Sequence, residues 1–149
     1  MALASNTTGT NNTAEGILTL SSNATGYSNT ASGSGALQLN TTGYYNTAAG
    51  YGALSSNTTG SYNTASGSAA LNNNTTGGGN IGIGTDAGYN LTTGNFNIMI
   101  GNSGSAADDA TIRIGDGQAK TFIAGISGVN VSGVPVLVSS TGQLGIASS

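Results

Sequence analysis

Apolar positions in this chain recur at a long fixed interval and follow neither a helical nor a strand period over extended stretches. Leu3, Leu20, Leu37, Leu54 and Leu71 stand 17 residues apart, and small polar residues return between them in the same order. Asn12, Asn29, Asn46, Asn63, Asn80 and Asn97 hold a second column without a slip, and Thr8, Thr25, Thr42, Thr59, Thr76 and Thr93 a third. Glycines divide every unit, at Gly9, Gly26, Gly43, Gly60, Gly77 and Gly94 and again at Gly16, Gly33, Gly50, Gly67, Gly84 and Gly101. A disordered low-complexity tract has no reason to keep such columns in register. A stack of like units does, because every unit then meets the same neighbours above and below.

The glycine columns lie seven and then ten residues apart, which leaves room only for short strands. Glycine density and β-branched threonine disfavour helix. Glycine tolerates positive φ and close backbone approach, so each column predicts a corner. The expected fold is all-β: a parallel β-solenoid, or β-roll, of 17-residue coils stacked at the strand spacing of about 4.8 Å. Asparagines placed one above another predict a ladder of side-chain amide hydrogen bonds along the axis.

The later coils change character. Asn-Thr-Ala-x-Gly in the first four becomes Asn80-Ile81-Gly82-Ile83-Gly84 and then Asn97-Ile98-Met99-Ile100-Gly101. Alternation puts both isoleucines of a strand on one face, which predicts a more deeply buried face there. After Asn102 the period stops, and short apolar runs follow at 110–114, 121–126, 129–131, 134–138 and 143–146. The expected organisation is a repeat region over 1–102 and a β-rich capping or stalk section over 103–149.

Composition narrows the function. There is no His or Cys, and Lys120 and Glu15 are the sole residues of their types, whereas catalysis near neutral pH recruits such groups. The expectation is a non-enzyme without cofactor or metal. Arg113 and Lys120 are the whole basic inventory, too little to track phosphates, so nucleic acid is not an expected partner. No apolar run is long enough to cross a bilayer, and the Met1 to Ser5 start lacks the basic and apolar regions of a signal peptide. Between Glu15 and Asp86 the chain carries no charge. A long uncharged β surface aggregates unless it is covered, which predicts a homo-oligomer burying the Leu and Ala columns between protomers that have little core of their own.

Other signals are weaker. Gly77-Gly78-Gly79-Asn80-Ile81-Gly82 matches the dinucleotide fingerprint in letters, but a glycine corner follows where a helix is needed. Asp108, Asp109 and Asp116 supply too few oxygens for a calcium site. Asn6, Asn23, Asn40, Asn57 and Asn74 open glycosylation sequons and read as by-products of the repeat. Tyr27, Tyr44, Tyr45, Tyr51 and Tyr62 gather in the middle coils. Exposed tyrosine serves glycan- and protein-binding surfaces, and packing between protomers accounts for them equally well. Two alternatives to a fibre stand: an ice-binding solenoid, if the Asn6 and Thr8 columns form paired rows on one face, and a head-to-tail filament, since open solenoid ends add strands.

The Asn-Thr-Ala-x-Gly units, followed by Ile112-Arg113-Ile114-Gly115, Thr121-Phe122-Ile123-Ala124-Gly125-Ile126, Pro135-Val136-Leu137-Val138 and Gly142-Gln143-Leu144-Gly145, make a combination that resembles a known arrangement. It resembles the stalk of bacterial and phage tail-fibre-like proteins that carry a C-terminal intramolecular chaperone of the endosialidase type, peptidase family S74. The repeats are also similar to the head repeats of trimeric autotransporter adhesins such as YadA. The resemblance implies a homotrimer on an extracellular surface, cell surface or virion, with a cell-surface glycan or protein as a further partner. It further implies maturation by loss of the chaperone at a serine, at or just beyond Ser149. No protease activity is expected of this chain, which ends before such a chaperone segment.

Overall fold

The computed structural model describes residues 1–120 together with strands Val136–Val138 and Leu144–Ile146. The chain divides into two compact units, Met1–Gly117 and Gln118–Ser149. In the first, seven three-residue strands pair in parallel and in sequence order: β1 (Thr13–Glu15), β2 (Thr30–Ser32), β3 (Thr47–Ala49), β4 (Thr64–Ser66), β5 (Ile81–Ile83), β6 (Ile98–Ile100) and β7 (Ile112–Ile114). Ala14, Ala31, Ala48, Ala65, Gly82, Met99 and Arg113 stand directly above one another. The unit is a parallel β-solenoid with a 17-residue turn, as the period predicts. Within the second unit, β8 (Val136–Val138) and β9 (Leu144–Ile146) pair antiparallel. The runs expected at 121–126 and 129–131 lie outside the described residues, as does Ser149.

The interior is narrow and filled by the repeat's own side chains. Strands β2 to β6 each turn the middle residue inward and the two flanking residues outward. The inward alanines of β2 to β4 join Leu20, Leu37, Leu54 and Leu71 and a second alanine column, Ala36, Ala53, Ala70 and Ala87, in one fully buried cluster that Leu91 and Met99 continue. A β-carbon at Gly82 would fall 2.9 Å from both Leu71 Cγ and the Ala87 carbonyl oxygen, so the strand lies too close to the leucine column there for any side chain.

Two expectations are overturned by this geometry. The Leu and Ala columns lie inside each coil and are not available to another protomer, so the single chain does possess a core. The isoleucine pairs of β5 and β6 face outward, because Gly82 and Met99 occupy the inward position. Three residues of alternation state which side chains share a face, but not which face is inside.

The corners also differ from two glycine columns. Four positions per turn are left-handed. The Gly16 column is one, with Gly50 at φ 141°. The buried leucines are another, Leu20, Leu37, Leu54 and Leu71 all lying between 49° and 52°. That conformation costs a leucine about 1–2 kcal/mol, and burial of the side chain, about 1.5–3 kcal/mol, offsets it. The Gly9 column has no left-handed φ at all. It is glycine for want of space, since a β-carbon on Gly43 would overlap the Gly60 carbonyl oxygen above it and the Asn40 amide beside it.

The stack runs past residue 102 into a seventh, shorter turn. Met99 pairs with Arg113, a step of 14 residues. Arg113 therefore stands at the end of the alanine core column, where its Nε and Nη2 donate to the two carboxylate oxygens of Asp108, each at 2.7 Å. The Ser105 N–H donates to the same carboxylate at 2.9 Å. Asp108 is 7% exposed and Arg113 44%, so this bidentate pair closes the C-terminal end of the stack. The hydrogen bonds from Arg113 hold the Asp108 carboxyl below its ordinary range; burial opposes them, and the Ser105 N–H adds to the lowering. A depressed folded-state pKa contributes stability above the unfolded carboxylate value, about 3.9, and loses it as pH falls through the folded value. Stability of the repeat unit should be level from neutral pH to about pH 5 and fall below about pH 4. In Arg113→Met the unit should melt lower at pH 7 and the acid limb should flatten; thermal melts of both proteins across this range check it.

Candidate functional site

Nine asparagines are buried in the repeat unit, and they form two ladders. In the Asn12 column, an Oδ1 typically accepts from the next coil twice: Asn46 Oδ1 takes the Asn63 N–H at 3.0 Å and Asn63 Nδ2 at 3.1 Å. The same pattern links Asn12 to Asn29, Asn29 to Asn46 and Asn80 to Asn97, while Asn63 Oδ1 takes only the Asn80 N–H, at 2.9 Å. The second ladder consists of the sequon asparagines. Asn23, Asn40, Asn57 and Asn74 each donate Nδ2 to the Oδ1 of the coil before, at 2.7–3.0 Å. In the sequence these asparagines read as by-products of the repeat.

The two ladders meet on the carbonyls of the Gly9 column. Gly43 O accepts from Asn29 and Asn40, Gly60 O from Asn46 and Asn57, and Gly77 O from Asn63 and Asn74. This convergence is what leaves no room for a β-carbon. Among the described residues no buried side-chain polar atom lacks a partner, which satisfies the demand that buried amides be hydrogen-bonded. In the sixth turn Leu91 takes the sequon position, and Asn74 Oδ1 accepts from Asn80 at 3.4 Å instead. The Asn6 column points inward while Thr25, Thr42, Thr59 and Thr76 are exposed, so these two columns do not form paired rows on one face.

The outer surface carries three features. The first is the outward face of β5 to β7, where Ile81, Ile98 and Ile112 form one row and Ile83, Ile100 and Ile114 another. Exposure is greatest in β7, 64% at Ile112 and 71% at Ile114. The earlier strands present Thr13, Thr30, Thr47 and Thr64 in the same row. The second is a tyrosine corner. Tyr27 and Tyr44 stack with centroids 4.9 Å apart, Tyr45 and Tyr62 at 5.4 Å, and the two stacks meet edge to face. Burial and the neighbouring Tyr44 raise the Tyr62 hydroxyl above its ordinary pKa. These rings spend much of their faces on each other. The third is Tyr51, the remaining tyrosine of the five, which stands apart from that cluster and is 71% exposed.

The other sequence candidates are accounted for by structure. Gly77 to Gly82 runs through a corner into β5, with no helix following it. Asp108 is bound to Arg113, and Asp109 Oδ1 accepts the Asn95 N–H at 2.8 Å. Among the described residues no helix is long and apolar enough to cross a membrane. Compared with protein-family models, curated proteins and solved structures, the chain matches none.

Proposed function

We propose that this chain is a structural, non-enzymatic segment of a trimeric fibre or stalk, of the kind borne by bacterial surface or phage tail-fibre-like adhesins. The observation that carries the reading is the outward isoleucine face of β5 to β7, on a strand column whose earlier members present threonine, alanine and serine there. Exposed contiguous apolar surface marks an interaction site, and self-association with closed symmetry covers it without a second gene product. The protomer interface is thus assigned to this outer strand face, in place of the Leu and Ala columns. Strand pairing ties every turn to the next and two amide ladders reinforce it through the first five turns, which suits a stiff spacer that holds other domains away from a surface. An extracellular, cell-surface or virion location and maturation by loss of a chaperone near Ser149 rest on the family resemblance alone.

Light scattering should find a discrete species near three times the 14.3 kDa chain, resistant to SDS until heated. Ile100→Lys should reduce it to a protomer whose spectrum remains that of a β-solenoid, since residue 100 points away from the core. A wild-type monomer would overturn the reading, and mass that grows with concentration would replace it with a head-to-tail filament.

A further inference from the structure

The coil position that holds Leu18 is left-handed in five successive turns, with Gly35, Gly52, Ala69 and Asp86 at the same place and φ between 54° and 70°. Leucine, alanine and aspartate adopt that backbone here, so glycine is not required by conformation at residues 35 and 52. Space does not require it at Gly35 either, where a β-carbon would meet only Gln38 Oε1, at 3.5 Å, an ordinary contact; at Gly52 it would meet the Asn72 side-chain amide more tightly, at 3.2 Å. The consequence of two missing side chains in adjacent turns is a hollow of about 200 Å³ bounded at one end by Leu18.

Its lining has a consistent chemistry. Tyr51 forms one wall and makes no ring–ring contact among the described residues, unlike the other four tyrosines of the middle coils. Gln38 and Ser55 supply an amide and a hydroxyl, and Asn72 closes the far side. Asn72 is held in place by its own bonds, Nδ2 donating to Gly52 O at 2.8 Å and to Ser55 Oγ at 3.2 Å, which leaves its Oδ1 to accept from a ligand. The surrounding coils carry no charge from residue 16 to residue 85.

We propose that this hollow is a binding site for one ring of a neutral oligosaccharide. An exposed aromatic face offers apolar contact to the C–H face of a pyranose while amides and hydroxyls meet its hydroxyl groups. Absence of nearby charge disfavours an acidic or basic sugar. The volume is below the roughly 300 Å³ at which drug-sized pockets begin, which suits a single ring of a longer glycan whose other rings lie outside. The assignment does not depend on the trimer: it uses residues of one chain and a different surface from the isoleucine face.

The test is binding of the intact chain to an immobilised panel of uncharged hexose and N-acetylhexosamine oligosaccharides, with sialylated glycans alongside. The wild type should retain at least one neutral glycan, and Tyr51→Ala should weaken that binding by about tenfold. Gly35→Leu, which repeats the residue already carried at position 18, should abolish binding by filling the hollow. Tyr62→Ser, which alters the stacked corner, should leave binding at the wild-type level. Thermal melts of each variant separate loss of binding from loss of fold. The proposal is overturned if no neutral glycan is retained, if sialylated glycans alone are retained, if Tyr51→Ala binds as the wild type does, or if Tyr62→Ser loses binding to the same extent.

Discussion

Gly50→Ala should lower the melting midpoint of the repeat unit by about 15 °C, from a loss of about 4 kcal/mol at roughly 4 °C per kcal/mol for a domain of this size. Two causes add at this position. The backbone lies at φ 141°, a region that side-chain-bearing residues hardly enter. A β-carbon would also fall 2.6 Å from the Gly67 carbonyl carbon of the next coil, and backbone atoms cannot swing aside as a flexible side chain does. Gly101 belongs to the same column and is relieved of both. Its φ is 56° with nothing within 4 Å of the added carbon, so Gly101→Ala should cost only the left-handed term, about 1–2 kcal/mol. Equal melting shifts for the two variants would show that neither the φ of Gly50 nor the close approach of the next coil carries the expected cost.

Asn46→Ala should cost about 3–5 kcal/mol, close to the effect of opening a core cavity. The side chain makes four hydrogen bonds: it donates to Asn29 Oδ1 and Gly60 O, and accepts from the Asn63 N–H and Asn63 Nδ2. Gly60 O keeps its bond from Asn57 and Asn63 Nδ2 keeps Gly77 O, but the Asn63 backbone N–H is left buried without a partner. An orphaned buried donor costs about 1–3 kcal/mol, and each lost bond about 1 more. Asn46→Asp tests the hydrogen-bond account against simple loss of volume. Its carboxylate retains the acceptor for Asn63 but sets a charge against Gly60 O and Asn29 Oδ1. Burial raises such a carboxyl in the folded state, so its cost is absent at low pH, where the protonated acid can donate, and grows as pH rises through the folded value. Measured against wild type at each pH, because wild type itself loses the Arg113–Asp108 cap in acid, Asn46→Asp should recover on acidification and Asn46→Ala should not.

Much of the axial order was legible in the amino-acid sequence. Columns at a fixed interval of 17 have one economical physical meaning, a stack in which like residues touch, and an Asn column in such a stack can satisfy its amides only from its neighbours. The second ladder carried the same signal at Asn6, Asn23, Asn40, Asn57 and Asn74. It was obscured because Asn-x-Thr also spells a surface sequon and because a partner column of threonine lies two residues on. The hollow beside Tyr51 had no signal of its own. Gly35 and Gly52 look like any other glycine in a chain with 26 of them, and only the left-handed Leu18 and Ala69 at the same position show that glycine there is unforced.

What lay beyond the sequence was radial: which residues face the axis and which face solvent. Hydrophobicity points Ile81 and Ile83 inward and Asn23 outward, and both are reversed in the fold. The reason is the width of the coil. With alanine or glycine set against leucine across the interior, no room is left for two isoleucines on a strand, while an asparagine whose amide is fully bonded above, below and to a glycine carbonyl is buried at little cost. Period and register follow from the repetition of residue types along the chain. The inward face, the left-handed leucines and the shape of the surface follow from how seven narrow turns close on themselves, and that closure is a property of the stacked coils that no single 17-residue unit contains.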